Sequence, residues 1–111
     1  MLFRSYFGEQ AGIDFTGGPS AITDENIMYS PEGCASISDT NGQLLFYTNG
    51  QSVWNKNHEL MMNGDNIGGD STAVQAALIM PFADDPTNFY VFTSEEVYGT
   101  GTFQKIGRAH V

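Results

Sequence analysis

The stretch Cys34 to Asn55, CASISDTNGQLLFYTNGQSVWN, constrains this chain more than any other. It holds two Asn-Gly pairs, Asn41-Gly42 and Asn49-Gly50, set between apolar runs. A two-residue hairpin loop needs positive φ at both central positions, and Asn-Gly supplies this at the least steric cost. The stretch therefore reads as three strands of one antiparallel meander. With both turns tight, counting sets the register. Thr40 faces Gln43, Ser38 faces Leu45 and Ile37 faces Phe46; then Thr48 faces Gln51, Phe46 faces Val53 and Leu45 faces Trp54. One face carries Ile37, Phe46 and Val53 with Ala35 and Leu44. The other carries Leu45, Tyr47 and Trp54 with Ser36, Ser38 and Ser52. A one-residue slip would exchange the two sets.

Both faces thus hold large apolar groups, whereas a hairpin on a two-layer domain has one wet face. The unbroken run Leu44-Leu45-Phe46-Tyr47 points to a sheet covered on both sides, as in the face-to-face blades of a propeller. A central sandwich strand with one aromatic-rich face is the alternative.

The rest of the chain is consistent with repeated short strands. Phe3 to Phe7 reads as an edge strand, and Gly8 to Ser20 as a loop anchored by Ile13 and Phe15. Ala21 to Gly33, with Ile27, Met28 and Tyr29, reads as a connection packed on the meander, broken at Ser30-Pro31. Lys56 to Ser71 is polar and Gly-rich, with Leu60, Met61 and Met62 as an inward anchor or a short strand. Thr72 to Met80 reads as a strand ended by Pro81, although its Ala-rich run also fits a short helix. Ala83 to Asn88 is a turn, Phe89 to Thr93 a strand and Glu95 to Gly101 a loop. Thr102 to Lys105 begins another strand. Propeller blades have about 40–45 residues and four strands, so this is an all-β chain of antiparallel meanders, a propeller-like fragment of about one blade plus part of the next.

Thirteen acidic residues against four basic ones give a net charge of −9. An acidic chain repels phosphate backbones and anionic membrane surfaces, which argues against nucleic-acid partners. No apolar run reaches membrane-spanning length, and residues 1–4 do not open a signal peptide. Cys34 is the only cysteine, so no intrachain disulfide forms, and a small packed apolar role suits it best.

No residue set supports catalysis. His58-Glu59 lacks the second His of a zinc-protease motif and reads as a polar turn residue. Ser52, Ser71 and Thr72 have no matching base. Asp39-Thr40-Asn41-Gly42 is similar to the opening of a calcium loop but lacks its second carboxylate and its closing Glu; the hairpin accounts for it. The Gly-rich segment 63–70 offers Asp65 and Asp70 as calcium candidates, against a plain inter-strand loop. Glu95-Glu96 reads as a solvated pair. Tyr6, Tyr47, Trp54 and Tyr98 could form an aromatic sugar platform, although Trp54 sits where a core residue belongs.

A set of short motifs resembles a propeller-like module near the N-terminus of very large surface proteins of gliding Bacteroidota. Those proteins commonly carry a gliding-motility-associated, type IX secretion (type B) sorting domain. The matching positions begin with Tyr6-Phe7-Gly8, Ala11-Gly12-Ile13-Asp14-Phe15, Glu32-Gly33-Cys34 and Ser38-Asp39. They continue through Gly42, Leu44-Leu45-Phe46-Tyr47-Thr48, Gly50, Val53-Trp54-Asn55 and His58. Met61, Asn63-Gly64, Gln75, Pro81, Tyr90 and Phe92 complete the set. Ser5, Asn49 and Met62 depart from the usual Trp, Asp and Pro. The resemblance implies a secreted or cell-surface location and a structural or adhesive role, without catalytic residues or cofactor. Its partners would be the remaining blades, and possible surface glycans or proteins. A propeller enzyme or glycan-binding propeller, with its site in other blades, is the competing expectation.

Residues 106–111 read IGRAHV, and the codons ATC GGA AGA GCA CAC GTC TGA encode them with a stop. That string is the common short-read sequencing adapter. The segment is therefore expected to be adapter read-through making no packed contacts that the rest requires, with residues 1–105 as the propeller-like part. Without Arg108, three basic residues face thirteen acidic ones, a net charge of −10. His110 then leaves any metal argument.

Overall fold

The computed structural model describes residues 4–22, 28–97 and 101–111, with the backbone alone for 95–97 and 101–105. Phe3, Ile27 and Tyr98, given roles above, lie outside the described residues. The described chain is all-β: β1 Arg4–Phe7, β2 Ala11–Asp14, β3 Ser20–Ala21, β4 Ala35–Ser38, β5 Leu44–Thr48, β6 Val53–Asn55, β7 Ala77–Pro81, β8 Asn88–Val97 and β9 Gly101–His110. They form three three-stranded antiparallel sheets, β1-β2-β3, β4-β5-β6 and β7-β8-β9.

Each sheet is a local meander, and the sheets pack on one another through two cores. Tyr6, Met28, Leu44, Tyr47 and Trp54, with half-buried Ile22 and Cys34, join the first sheet to the second. Phe46, Val53, Phe89, Val91 and Ala109 join the second to the third, flanked by Ile37, Leu45, Met61, Ile67 and Ile79. The middle sheet is therefore covered on both faces, as its unbroken apolar run requires. Between sheets, the first strands adjoin: β1 lies against β4, and β4 against β7. The β1–β4 contact is made by side chains reaching backbone. Ser36 Oγ accepts from Tyr6 N at 3.2 Å, and Ser38 Oγ donates to Arg4 O at 3.4 Å.

The register of the middle sheet corrects the counted one. Ile37 does face Phe46, but Ser38 faces Leu44, leaving Leu45 as the extra residue of a bulge. The first loop is the cause. Asp39 accepts from Gly42 N and pairs with Gln43, so Thr40, Asn41 and Gly42 form a three-residue loop with Gly42 at φ 81°. This is a turn closed by a left-handed residue, and the bulge absorbs the offset. A bulge turns two successive side chains to one side. Leu45 accordingly joins Phe46 in the second core, and Leu44 joins Tyr47 in the first, the reverse of strict alternation.

Past the second loop, Thr48 faces Val53, Tyr47 faces Trp54 and Phe46 faces Asn55, two residues from the counted register. Asn49-Gly50 is part of a four-residue loop held by a buried polar network. Asn49 Oδ1 accepts from Gln51 N and Ser52 N at 3.0 Å each, and its Nδ2 donates to Tyr29 O at 2.9 Å. Thr48 Oγ1 donates to Ser52 O at 2.7 Å. A two-residue shift preserves the faces, so Val53 and Trp54 still point into the expected, opposite cores.

Other expectations also change. Residues 11–14, read as loop, form β2, because a reversal through Gln10 at φ 55° folds them back on β1. The Thr72 strand begins only at Ala77; Asp70 draws Thr72 into a turn before it. Pro81 is the last residue of β7, an edge strand where a missing N–H is tolerated. Glu95 and Glu96 lie within β8, opposite Phe103 and Thr102, so they are not loop residues. Pairing of an extended ribbon uses backbone groups, which polar composition does not prevent. Phe3 to Phe7, read as an edge strand, belongs in its described part to the three-stranded sheet β1-β2-β3.

Residues 106–110 continue β9 opposite Phe92 to Asn88, and Ala109 is buried against the second core. The segment is thus paired in β9 and packs at Ala109. Its inward positions, Gly107 and Ala109, are small enough to lie over Val91 and Phe89.

Candidate functional site

The small inward residues of β9 leave a groove of about 690 Å³ between that strand and the loop Met61–Ile67. Its floor is Val53, Val91 and Thr93, its sides Met61, Gly64 and Ile67, and its far wall residues 106–110. Arg108 and His110 are the only titratable groups among the lining residues. Thr93 is buried, and its Oγ1 has no hydrogen-bond partner among the described residues. The groove combines apolar walls with polar lining residues, Thr93, Asn63, Arg108 and His110. The spacing of small residues in β9 was the sequence signal for it, invisible without the pairing.

Of the aromatic residues considered for a sugar platform, Tyr6, Tyr47 and Trp54 are instead core. Tyr6 stacks on Tyr47 at 5.2 Å, and Tyr47 on Trp54 at 5.5 Å, all three buried. A sugar-binding aromatic must show a face to solvent, which these do not. His58 closes the cluster. Its Nδ1 lies 2.9 Å from Tyr47 Oη, and its ring meets Tyr6 edge-on at 6.1 Å. It is also the turn residue expected, with φ 64° and its N–H donating to Asn55 O. Nothing in the sequence signalled the ring contact.

Asp65 and Asp70 are each engaged nearby. Asp65 Oδ1 accepts from Ser52 Oγ at 3.1 Å. Asp70 Oδ1 accepts from Thr72 N at 2.8 Å and Thr72 Oγ1 at 2.7 Å. Among the described residues no three His, Cys, Asp or Glu side chains converge as a metal site. Asp39 Oδ1 accepts from Asn41 N and Gln43 N, at 2.8 and 3.0 Å, and so organises the hairpin.

Sequence reading missed a motif that recurs three times. Asp14-Phe15-Thr16, Asp70-Ser71-Thr72 and Asp85-Pro86-Thr87 share one arrangement: the Asp carboxylate accepts from both N–H and hydroxyl of the Thr two residues on. The Asp-x-Thr spacing was the available signal, since Asp side chains readily close such turns. Hydrogen bonds to the charged form hold these carboxyls below their ordinary range. The Thr hydroxyl leads at Asp14 and Asp85, and the Thr N–H at Asp70. At Asp14 the guanidinium of Arg4 adds an ion pair at 3.1 Å. These carboxylates each close a local turn.

Comparison with protein-family models, curated proteins and solved structures gives no match.

Proposed function

We propose that the chain is a non-catalytic structural or adhesive module of a secreted or cell-surface bacterial protein, built as a propeller-like stack of small sheets. The observation that carries this reading is the middle sheet, buried on both faces, with β1, β4 and β7 side by side. Convergent first strands are the geometry of blades around a centre. The spacing also supports it. β4 begins at residue 35 and β7 at residue 77, a period within the about 40–45 residues of a blade. A rudimentary fourth strand completes the middle unit: Asn55 N donates to Glu59 O at 2.8 Å and Met61 N to Val53 O at 2.9 Å, around a Trp54–Leu60 bridge. The first offset, from residue 4 to residue 35, is shorter, and its sheet ends in the two-residue β3.

In this reading the partners are further blades of the same kind, and a surface glycan or protein. The likeness to gliding Bacteroidota surface proteins supports the location and the link to motility. The test is deletion of this module from the parent protein in cells, read by surface attachment and by protease shaving of intact cells. Loss of attachment, with the module accessible to protease before deletion, supports the reading. Unchanged attachment with loss of a hydrolytic activity would instead place the module in a propeller enzyme.

A further inference from the structure

The tetrapeptide Thr-Asn-Gly-Gln occurs twice, at residues 40–43 and 48–51, once in each loop of the middle sheet. The two copies share their chemistry and differ in their surroundings. Asn49 is 7 % exposed, and its side chain is locked. Oδ1 accepts from Gln51 N and Ser52 N, and Nδ2 donates to Tyr29 O. Gly50 donates to Thr48 Oγ1 and accepts from Gly69 N. Asn41, by contrast, is exposed, and its side chain has no hydrogen bond among the described residues. Its backbone N–H donates to Asp39 Oδ1, and the Gly42 N–H makes one bond, to Asp39 O at 3.0 Å.

A third pair, Asn63-Gly64, stands between them. Asn63 is exposed, but Gly64 is held on both sides, its N–H donating to Met61 O at 2.8 Å and its carbonyl accepting from Val53 N at 2.7 Å. Asn is a thermolabile residue, and Gly after it has no Cβ to hinder ring closure. The Gly nitrogen attacks the Asn Cγ. The N–Cγ bond forms as the bond from Cγ to the amide nitrogen breaks, and ammonia leaves with the proton of the Gly N–H. Water then opens the succinimide at either carbonyl. One opening gives aspartate. The other gives isoaspartate, in which the main chain runs through the side-chain carbons and is lengthened. Closure needs an Asn side chain free to turn and a Gly N–H released from its acceptor.

We propose that Asn41 is a site of spontaneous deamidation in the folded chain, while Asn49, in the same tetrapeptide, is protected. At Asn41 only the Gly42–Asp39 bond at a hairpin tip must open. At Asn63 both bonds of Gly64 hold the closing nitrogen in place. At Asn49 the side chain must leave all its partners, and the Gly50 bonds must break as well. The free energy of local opening grows with the bonds given up, so the sites rank Asn41, Asn63, Asn49. The product bears on the sheet. A carboxylate at position 41 puts like charge beside Asp39, whose Oδ1 accepts from Asn41 N and Gln43 N. Isoaspartate also lengthens the loop whose size sets the bulge at Leu45.

The experiment is ageing of the full 111-residue chain in mildly alkaline buffer, folded and in urea, followed by tryptic peptide mass spectrometry with fragmentation that tells aspartate from isoaspartate. Asn41 and Asn49 fall in the tryptic peptide 5–56 and are resolved by its fragments, and Asn63 falls in 57–105. In urea the two Thr-Asn-Gly-Gln sites should react at the same rate. In the folded chain Asn41 should convert roughly tenfold faster than Asn49, the ratio for about 1.4 kcal/mol of extra opening free energy, with Asn63 between them. Equal folded rates at Asn41 and Asn49 overturn the proposal, as does a lead by Asn63. So does a slowing of Asn41, relative to its rate in urea, as large as that of Asn49. Chains with isoaspartate at position 41, separated by ion exchange, should unfold at lower urea concentration than unaged chain. An unchanged midpoint would overturn the link between this loop and the bulge.

Discussion

Phe46 and Tyr47 are neighbours on β5, and both are fully buried, at 0 % exposure. They face opposite cores: Phe46 packs edge-on against Phe89 at 5.4 Å, and Tyr47 lies between Tyr6 and Trp54. On a sheet with one wet face, one of two adjacent residues can be truncated at little cost. Here Phe46→Ala and Tyr47→Ala should each cost about 3–5 kcal/mol, the range for large aromatic truncations in cores. A domain of this size has roughly 5–15 kcal/mol in all, so either change removes about a fifth or more of it. The assay is urea unfolding followed by fluorescence of Trp54, the only tryptophan. The variants should also differ in the folded state. Tyr47→Ala removes a ring stacked on Trp54 and should shift its emission, whereas Phe46→Ala, in the other core, should not. A loss below about 1 kcal/mol for either variant, the level of a surface change, would refute burial of that face.

Three further outcomes follow from local geometry. A Cβ at Gly69 would lie 2.3 Å from Gly50 O and 2.9 Å from Thr93 Cβ, so Gly69→Ala should destabilise by about 2–4 kcal/mol in the same urea assay, through overpacking and loss of the Gly69 N–Gly50 O bond. Thr93→Val exchanges a buried hydroxyl without a partner among the described residues for a methyl group and should stabilise by about 1 kcal/mol; a loss would mean that the hydroxyl has a partner in solution. Asp14, Asp70 and Asp85 have pKa values depressed below 3.8, so the stability they contribute is complete above that value and is lost as pH falls through their folded values. Melting temperature should therefore drop on acidification below about pH 4, less steeply in Asp85→Asn, and an equal slope in that variant would exclude the Asp85–Thr87 turn as a cause.

Much of the middle sheet was legible because its signals are local. The run Leu44 to Tyr47 leaves no wet face, and the parity of Val53 and Trp54 survives any two-residue shift. The loop lengths were not legible. Asn-Gly permits a tight turn but does not require one, and the competing acceptors were side chains: Asp39 in one loop, Thr48 and Asn49 in the other. The exchange of Leu44 and Leu45 between cores follows from that loop chemistry, which hydrophobic pattern alone does not record. β2 was obscured by Gly-rich flanks, and the long β8–β9 ribbon by polar residues that pair through backbone. At the candidate site, Asp65 and Asp70 looked alike as carboxylates in a flexible segment. Only their partners tell them apart: Asp65 accepts from Ser52 in another loop, and Asp70 closes its own turn on Thr72.

The central claim is that one small sheet is sandwiched between two others. Nuclear Overhauser spectroscopy on a single sample of the chain tests it most directly, through two aromatic contacts at once. The account predicts cross-peaks from the Phe46 ring to Phe89 and from the Tyr47 ring to Tyr6, at intensities fitting centroid separations of 5.4 and 5.2 Å. Cross-peaks from only one of these rings, with the other averaged as in solvent, would contradict the stack and leave a two-layer sandwich.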